Sequence, residues 1–285
     1  MGVTSMLIQI TILRLLLSTF SGNELDIGIT LSFWLTWVGL GSYTGGKIRL
    51  KHAFTLSFIL VALLVQPTVF IIKAIRPVLS LEPGEVVSLT STILSTAFSL
   101  FPLCFVIGLQ FPLAVSYSDS DNRDAAGKVY GLEALGAFMG GVLFTFIIAG
   151  RMGAIELCLI LSLINILMAS YISKKKIITL IFILPLFFYI SFHKIITSLP
   201  WQGMEPSHIV ESKYGEITVI KIREQSSIYG NGQLFFTYSD LPSEEIKTHL
   251  PMALHPSPSR VLVIGGSPGT IKEFLKYPVK AIDFI

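Results

Sequence analysis

Charged residues are scarce in this sequence, and this argues against an ordinary soluble protein. Of the 285 residues, 14% are charged and 52% are hydrophobic, and the mean hydropathy is +0.72. The formal net charge is only +3, and the basic residues concentrate in short segments between apolar blocks. That distribution is typical of membrane topology, and it leads us to expect no nucleic-acid partner.

The sequence also lacks the cysteine patterns of disulfide frameworks and metal sites. Its two cysteines, Cys104 and Cys158, lie in apolar blocks with no CxxC or Cys/His neighbourhood. We therefore interpret them as small core residues and predict no metal site. The first apolar stretch has neither a basic leader nor a small-residue cleavage site, so we expect no removable signal peptide.

Seven apolar blocks are long enough to cross a bilayer, which takes about 20 residues of helix. The fourth block is longer than that, and either Pro102 and Pro112 kink it or it extends beyond the bilayer. We therefore predict an α-helical multi-span bundle over residues 1–197, a multi-pass protein of the cell membrane with the lipid bilayer as its partner. The predicted spans are 3–20, 27–46, 53–73, 86–117, 128–150, 153–172 and 177–197.

Composition changes near residue 198, where charged and turn residues return. GEITVIKI is typical of a strand, and SSIYGNGQLFFTYS of a hairpin whose Asn231-Gly232 turn favours positive φ. LPSEEIKTHLPMAL predicts a short helix. RVLVI, TIKEFLK and KAIDFI then predict a strand, a helix and a second strand, which form the first β-α-β unit of a parallel sheet. The soluble part thus divides into 198–259 (linker, hairpin and short helix) and 260–285 (β-α-β unit).

The predicted parallel sheet has only two strands, which leaves apolar edges that folded domains normally pair. In nucleotide-binding folds of this kind, an acidic residue about 20 positions after the glycines contacts the ribose. About 20 positions after Gly266, this acidic residue would lie just past Ile285. We therefore expect the sequence to be a fragment or a truncated gene product.

Several stretches together resemble the membrane-bound spermidine synthase-like family. In the apolar half these are GVTSMLIQITILRLL, WLTWVGLGSYTGG, GLQFPLAV and YGLEALGAFMGGVLFTFIIAG. In the soluble half they are SKYGEITV, YGNGQLFF, SEEIKTHLPMALHPSPSRVLVIGG and AIDFI. The resemblance implies a Rossmann-like, S-adenosylmethionine-type domain that transfers an aminopropyl group from decarboxylated S-adenosylmethionine to a diamine, so a polyamine is the implied substrate.

The family's glycine turn corresponds to GGSPGT at 265–270, with Pro268 at the aspartate position. Pro268 has neither a charge nor a backbone N–H. The resemblance nominates three glycines for binding the donor or a related nucleoside, if the turn retains that function. These cofactor-binding candidates are Gly265, Gly266 and Gly269.

The family's Tyr-Gln becomes Tyr214-Gly215, and its Tyr-His-Glu becomes Ser243-Glu244-Glu245. Tyr214 and Glu245 are therefore the substrate-binding candidates that the resemblance leaves. Its catalytic aspartate would lie beyond Ile285, so no catalytic residue is nominated. Aminopropyl transfer depends on positioning and proton removal, and we expect the activity to be absent or altered.

Two charged residues within the apolar blocks, Arg14 and Glu133, are functional candidates because a charge inside a span is unfavourable unless it is paired. We predict that Arg14 pairs with Glu133 or Glu24 inside the bundle. The alternative is that each side chain lies near an interface and extends to water. With Gln9 and Gln110, these residues also allow a second function, that of a non-catalytic membrane scaffold or a transporter-like protein with a degenerate soluble extension.

Small residues recur at four-residue spacing in GLEALGAFMGG, where Gly136 precedes Gly140 and Ala137 precedes Gly141. Such spacing lets helix backbones approach closely. We predict helix packing within the bundle, and homo-oligomer formation through this face is the alternative. His249 and His255 share no helical face, and we interpret them as surface or capping residues.

The basic segments after the second and sixth blocks lie on one side of the predicted bundle, and the positive-inside tendency places them in the cytoplasm. A true seventh span then puts the soluble segment outside, whereas a donor derived from S-adenosylmethionine is a cytoplasmic metabolite. Three explanations stay open: the seventh block does not span, the fourth block counts twice, or the soluble part is exported and has another role.

Overall fold

The computed structural model describes residues 1–20, 22–50, 52–118 and 124–285. Within these residues, seven helical runs are long and apolar enough to cross a membrane, which agrees with the number predicted. Their helices are α1 (Gly2–Phe20), α2 (Glu24–Gly45), α3 (Ala53–Val78), α4 (Leu89–Ser118), α5 (Ala125–Leu143, continued by a π-helical turn Phe144–Ile148), α6 (Ala154–Ser173) and α7 (Ile183–Ser198, between 3-10 segments Lys176–Phe182 and Leu199–Trp201).

The fourth apolar block forms one helix, so the explanation in which it crosses twice is wrong. α4 is continuous for 30 residues through Pro102 and Pro112. At 1.5 Å per residue it is about 45 Å long. This exceeds the ~30 Å thickness of a bilayer's hydrocarbon core.

Glycines allow α2 and α4 to pack with their backbones in contact. A Cβ at Gly41 would lie 2.1 Å from the Phe105 carbonyl oxygen, and one at Gly108 would lie 2.2 Å from the Val38 carbonyl oxygen. Neither position accepts a side chain without moving a helix, so Gly41 of the second block serves intramolecular packing.

The small-residue face of α5 packs against α1, as predicted. A Cβ at Gly140 would lie 3.0 Å from the Val3 carbonyl oxygen, and one at Gly2 would lie 2.1 Å from the Glu133 carbonyl oxygen. Arg14, further along α1, lies over the Phe144 ring at the other end of α5. The two helices therefore run parallel.

The buried core of the bundle is formed mainly by α1, α3, α4 and α6. Its completely buried side chains include Ile8, Ile12 and Leu16 of α1 and Ile72 of α3. By contrast, α5 and α7 are largely exposed in the isolated chain. Their outer faces carry large apolar side chains, among them Phe138 and Phe187.

A four-stranded antiparallel sheet follows the bundle, in the order β1-β2-β3-β4. The strands are β1 (Pro206–Glu211), β2 (Glu216–Ile222), β3 (Gln225–Gly230) and β4 (Gln233–Tyr238). The predicted strand and hairpin are confirmed, and Asn231 and Gly232 both have positive φ, at 49° and 77°. β1 was not predicted.

The last segment contains α8 (Leu241–Leu254), β5 (Arg260–Val263), α9 (Gly269–Phe274) and β6 (Ala281–Phe284). β5 and β6 pair in parallel with Val261 opposite Ile282, so the predicted strand-helix-strand unit is confirmed. α8 has the predicted bounds, and it packs against α9.

The four-stranded sheet lies at the end of the bundle where α1, α3 and α5 finish. Gly232 faces the Ser18 carbonyl of α1, Gly84 after α3 lies beside Leu234, and Gly150 after α5 lies beside Lys213. Since α2 and α6 start at this end, the basic segments that follow them lie at the opposite end.

Candidate functional site

Arg14 joins the bundle to the turn between β1 and β2. Its guanidinium donates to the Ser212 carbonyl at 2.7 Å and to the Lys213 carbonyl at 3.0 Å. It also lies 3.4 Å from a carboxylate oxygen of Glu211. The predicted pairing of Arg14 with Glu133 or Glu24 is therefore wrong.

The reason for this error is the distance along the helix. Glu133 lies in the middle of α5, near the Met1 amino group and the first turn of α1. Arg14 is twelve residues beyond Gly2, which corresponds to about 18 Å of helix. Parallel packing of α1 and α5 therefore places Glu133 beside the start of α1, while Arg14 lies further along α1 beside Phe144. Glu24 and Asp26 start α2, where Asn23 and Asp26 form a capping box.

Lys73 of α3 forms the second charged connection between bundle and sheet. Its ammonium lies 2.9 Å from a Glu216 carboxylate oxygen, and the two side chains are only 9% and 14% exposed. Burial would raise the pKa of Glu216, but the charge and hydrogen bond of Lys73, together with a hydrogen bond from Thr218, outweigh burial and hold the pKa below its ordinary value. Glu216 is therefore a carboxylate at neutral pH.

Glu211 lies opposite Glu216 in the β1–β2 register and has a different electrostatic environment. Burial, and then the nearby Glu216 carboxylate, raise the pKa of Glu211 above its ordinary value, although Arg14 and Lys73 oppose the shift. The two glutamates thus share two cations unequally, and Glu216 has the closer one.

Arg76 binds three carbonyl groups at the same end of the bundle. This arginine is 3% exposed and donates to the carbonyls of Thr19, Glu82 and Glu85. These bonds connect the end of α1, the end of α3 and the segment after it. They fix the helix ends on which the sheet rests.

The pair of Lys73 and Glu216 borders a cavity between bundle and sheet. It has a volume of about 670 Å³, and its walls include Lys73, Glu211 and Glu216. Glu156 and His193 add a further polar pair in its wall, with 3.1 Å between Glu156 Oε1 and His193 Nε2. A smaller adjoining cavity of about 60 Å³ is lined by both Arg14 and Tyr214.

Two of the candidates chosen from sequence, Arg14 and Tyr214, thus meet at this junction. Tyr214 itself is 94% exposed, and its neighbour Gly215 packs against the Asn231 side chain. Lys73, Glu211 and Glu216 were not nominated. Lys73 carried a usable signal, since it is a charge at the edge of an apolar block.

The glycine turn lies elsewhere, between β5 and α9. Gly265 and Gly266 have φ of 67° and 90°, and a Cβ on either would meet no atom within 4 Å. The Gly265 N–H donates to the Ile285 carbonyl at 2.7 Å, and the Gly269 N–H to the Ser267 hydroxyl at 3.1 Å. The turn is therefore open above the first two glycines, while two of the three nominated N–H groups already have partners.

Glu244 was not among the candidates that the family resemblance nominated, but it contacts the glycine turn directly. The Ser267 hydroxyl donates to its carboxylate at 2.8 Å, and a Cβ at Gly269 would lie 1.9 Å from the same carboxylate. Packing against Glu244 thus explains why position 269 needs glycine. Helical periodicity could have identified Glu244, because Glu244, Thr248 and Met252 recur every four residues and form the buried face of α8.

Glu245, the substrate-binding candidate, lies on the exposed side of α8 near His249 and Glu273. Ligand atoms of these three residues lie within 4.8 Å of one another, an arrangement that could hold a metal ion. However, the Lys276 ammonium already contacts the Glu273 carboxylate, and His249 Nε2 lies 3.2 Å from it. The group fits a contact between α8 and α9 better than a metal site. His255 is exposed and is the C-cap residue of α8, as predicted, and its Nδ1 accepts from the Ser257 N–H.

Several curated proteins are similar in sequence, and the three described below are each named polyamine aminopropyltransferase. The protein of Leptospira interrogans is 26% identical over 190 residues, which cover 60% of this chain and 38% of the relative. That of Oceanobacillus iheyensis is 26% identical over 288 residues, covering 90% and 53%. That of Agathobacter rectalis is 35% identical over 98 residues, covering 33% and 34%.

The chain thus spans between about a third and about half of the length of these relatives. No family model matches it, and no solved structure matches it. The distant similarities support a relationship to the spermidine synthase-like family and, at a coarse level, to polyamine aminopropyl transfer.

Proposed function

We propose that this chain is an integral membrane protein of the spermidine synthase-like family, in which seven helices anchor a segment related to polyamine aminopropyltransferases. The observation that carries the proposal is the similarity to the Oceanobacillus iheyensis protein over 90% of the chain. Residues 198–285 are less than a third of the sequence. A match of that extent therefore includes most of the helical part as well as the soluble segment.

We further propose that donor binding at the glycine turn is altered. In aminopropyl transfer, an amine nitrogen attacks the carbon beside the sulfonium, the carbon–sulfur bond breaks, a thioether leaves, and the new ammonium loses a proton. Such a step requires a well-positioned donor. Pro268 offers neither a carboxylate nor an N–H, and Glu244 and Ile285 already engage groups of the turn.

For the orientation, we propose that the basic segments face the cytoplasm and the sheet faces the opposite side. Lys47 and Arg49 follow α2, and Lys174 and Lys175 follow α6, all at the end of the bundle away from the sheet. Positive residues in short loops favour the cytoplasmic side. The soluble segment would then act on ligands available outside the cytoplasm, which also fits an altered transferase.

Donor binding by the purified chain in detergent tests the altered turn. Isothermal titration with decarboxylated S-adenosylmethionine should give little saturable heat, while Pro268→Asp should bind at least about tenfold more tightly, since a charged hydrogen bond contributes roughly 1.5–3 kcal/mol. Pro256→Asp, in an exposed loop, is the matched control and should not gain affinity. Tight stoichiometric binding by the unaltered chain would overturn the proposal of an altered turn, and full solubility without detergent would overturn the membrane assignment.

A transporter-like function is the second candidate, and one observation favours it. Among the described residues, neither amide atom of the buried Gln66 side chain has a hydrogen-bond partner, and the amide nitrogen of Gln110 also lacks one. Gln66 lines a cavity of about 260 Å³ between α3 and α7. Flux of a radiolabelled diamine into proteoliposomes that falls in Gln66→Leu would support this function, and flux equal to that of protein-free vesicles would exclude diamine transport.

A further inference from the structure

The cavity between bundle and sheet is built from elements that are far apart in sequence. Its walls come from α1, α3, the segment 150–153, the start of α6, α7, and strands β1 and β2. Its volume of about 670 Å³ lies within the roughly 300–1,000 Å³ typical of ligand pockets. None of its lining residues comes from 241–285, so it is separate from the glycine turn.

Three carboxylates converge on this cavity from different elements. Glu156 comes from α6, Glu211 from β1 and Glu216 from β2. Lys73 is committed to Glu216 at 2.9 Å. The remaining carboxylates, Glu156 and Glu211, have weaker partners and can accept a further cation.

Arg14, the partner of Glu211, bonds mainly to other groups. The Arg14 guanidinium makes shorter bonds to the carbonyls of Ser212 and Lys213 than to Glu211, from which it lies 3.4 Å away. The raised pKa of Glu211, caused first by burial and then by Glu216, agrees with too little positive charge nearby.

The partner of Glu156 is a histidine, which carries a charge only when it is protonated. Glu156 and His193 are 43% and 36% exposed, so both are reachable from the cavity. Arg151 also lines the cavity, but its guanidinium donates to the carbonyls of Phe146 and Ile147.

Apolar side chains complete the wall beside these carboxylates. They include Leu15, Met152, Ile155 and Ile209. Carboxylates next to hydrocarbon surface complement a ligand that has an ammonium group on an alkyl chain, since the ammonium donates to the carboxylates and the chain covers apolar surface.

We propose that this cavity binds a small alkylammonium group, held by Glu156 and Glu211. This alkylammonium group could belong to a free alkylamine or to the ethanolamine headgroup of a membrane lipid. A lipid headgroup can reach the cavity because the cavity lies where the helices end. This site goes beyond the proposed function and does not depend on donor binding at the turn.

The test uses the full chain in nanodiscs of phosphatidylcholine, titrated calorimetrically with butylamine and 1,4-diaminobutane. Butanol and 1,4-butanediol are the uncharged controls. We expect saturable binding of an amine and none of the alcohols. Glu156→Gln and Glu211→Gln should each weaken binding about tenfold or more, as expected for losing a charged hydrogen bond. Glu224→Gln, in the exposed turn after β2, should bind like the unaltered chain.

The second arm replaces part of the phosphatidylcholine with phosphatidylethanolamine. Retention of this lipid by the chain in native mass spectrometry, lost in Glu156→Gln, would identify the headgroup as the source even if free amines do not bind. If the glutamine variants fail to fold, Ile209→Trp fills the cavity without removing a charge and should also abolish binding. Equal binding of amines and alcohols, no binding of any probe in either arm, or unchanged binding in folded Glu156→Gln and Ile209→Trp would each overturn the proposal.

Discussion

Replacing Lys73 by methionine should weaken the attachment of the sheet to the bundle. Methionine keeps most of the side-chain length but removes the ammonium that lies 2.9 Å from Glu216. Because Glu216 is only 14% exposed, its carboxylate would remain buried without a cation. Breaking a buried ion pair in this way destabilises by about 3–5 kcal/mol.

Thermal unfolding in detergent, followed by tryptophan emission, measures this effect. Trp34 and Trp37 of α2 are replaced by phenylalanine in every variant, so that Trp201 is the remaining tryptophan. Trp201 is 4% exposed and packs against Tyr229 and Ile220 of the sheet, so its emission then reports on that region. At roughly 2 °C or more per kcal/mol for a chain of this size, the midpoint should fall by at least about 6 °C. A shift below about 2 °C would refute the proposed role of the pair.

The double variant Lys73→Met/Glu216→Gln is the control. Since it removes both charges, it should recover at least about half of the loss, because close charged pairs show coupling energies of roughly 0.5–3 kcal/mol. A double variant as unstable as the single one would show that Lys73 acts through packing alone.

The pair should also give a pH dependence of known sign. The pKa of Glu216 is lowered in the folded chain, so the unfolded chain binds its proton more tightly. The stabilisation of the folded chain by ionised Glu216 is therefore fully present above about pH 4.3, the ordinary pKa of glutamate. This stabilisation is lost as the pH falls through the pKa of Glu216 in the folded chain. Glu216→Gln should flatten this part of the curve of midpoint against pH, and an unchanged slope would contradict the assignment.

Two further predictions concern other contacts. Arg14→Leu should release the turn between β1 and β2, because roughly 1.5–3 kcal/mol of charged hydrogen bonding is lost. Trypsin should then cleave after Lys213 at least about tenfold faster. An unchanged cleavage rate would contradict the contact. Gly269→Ala should push the Glu244 carboxylate away from the glycine turn and destabilise that region by about 1–3 kcal/mol, measured by amide exchange of α8 and β5. Gly39→Ala, whose added Cβ meets no atom within 4 Å, is the control and should have no such effect.

Local patterns in the sequence predicted most of the secondary structure. Apolar blocks of spanning length gave the seven helices, and Asn231-Gly232 gave the hairpin turn, because both signals act over a few residues. β1 was missed because its six residues begin with Pro206 and show no regular alternation of burial. Its position depends on pairing with β2, which is not visible in its own composition.

The partners of charged residues were harder to predict than the elements. Arg14 and Glu211 are 197 residues apart, and only the approach of the sheet to the bundle end brings them together. Glu244 was overlooked in favour of Glu245 because the family motif outweighed the helical periodicity that places Glu244 on the buried face. Cofactor binding by Gly265, Gly266 and Gly269 stays a prediction.

The arrangement of the chain across a membrane is tested most directly by the accessibility of single cysteines in intact cells. With Cys104 and Cys158 replaced by alanine, Glu224→Cys marks the sheet and Lys175→Cys marks the basic segment after α6. We predict that a membrane-impermeant maleimide labels the Glu224→Cys protein in intact cells and the Lys175→Cys protein only after permeabilisation. Labelling of both proteins only after permeabilisation, or labelling of the Lys175→Cys protein alone in intact cells, would contradict a bundle that spans the membrane with its sheet outside.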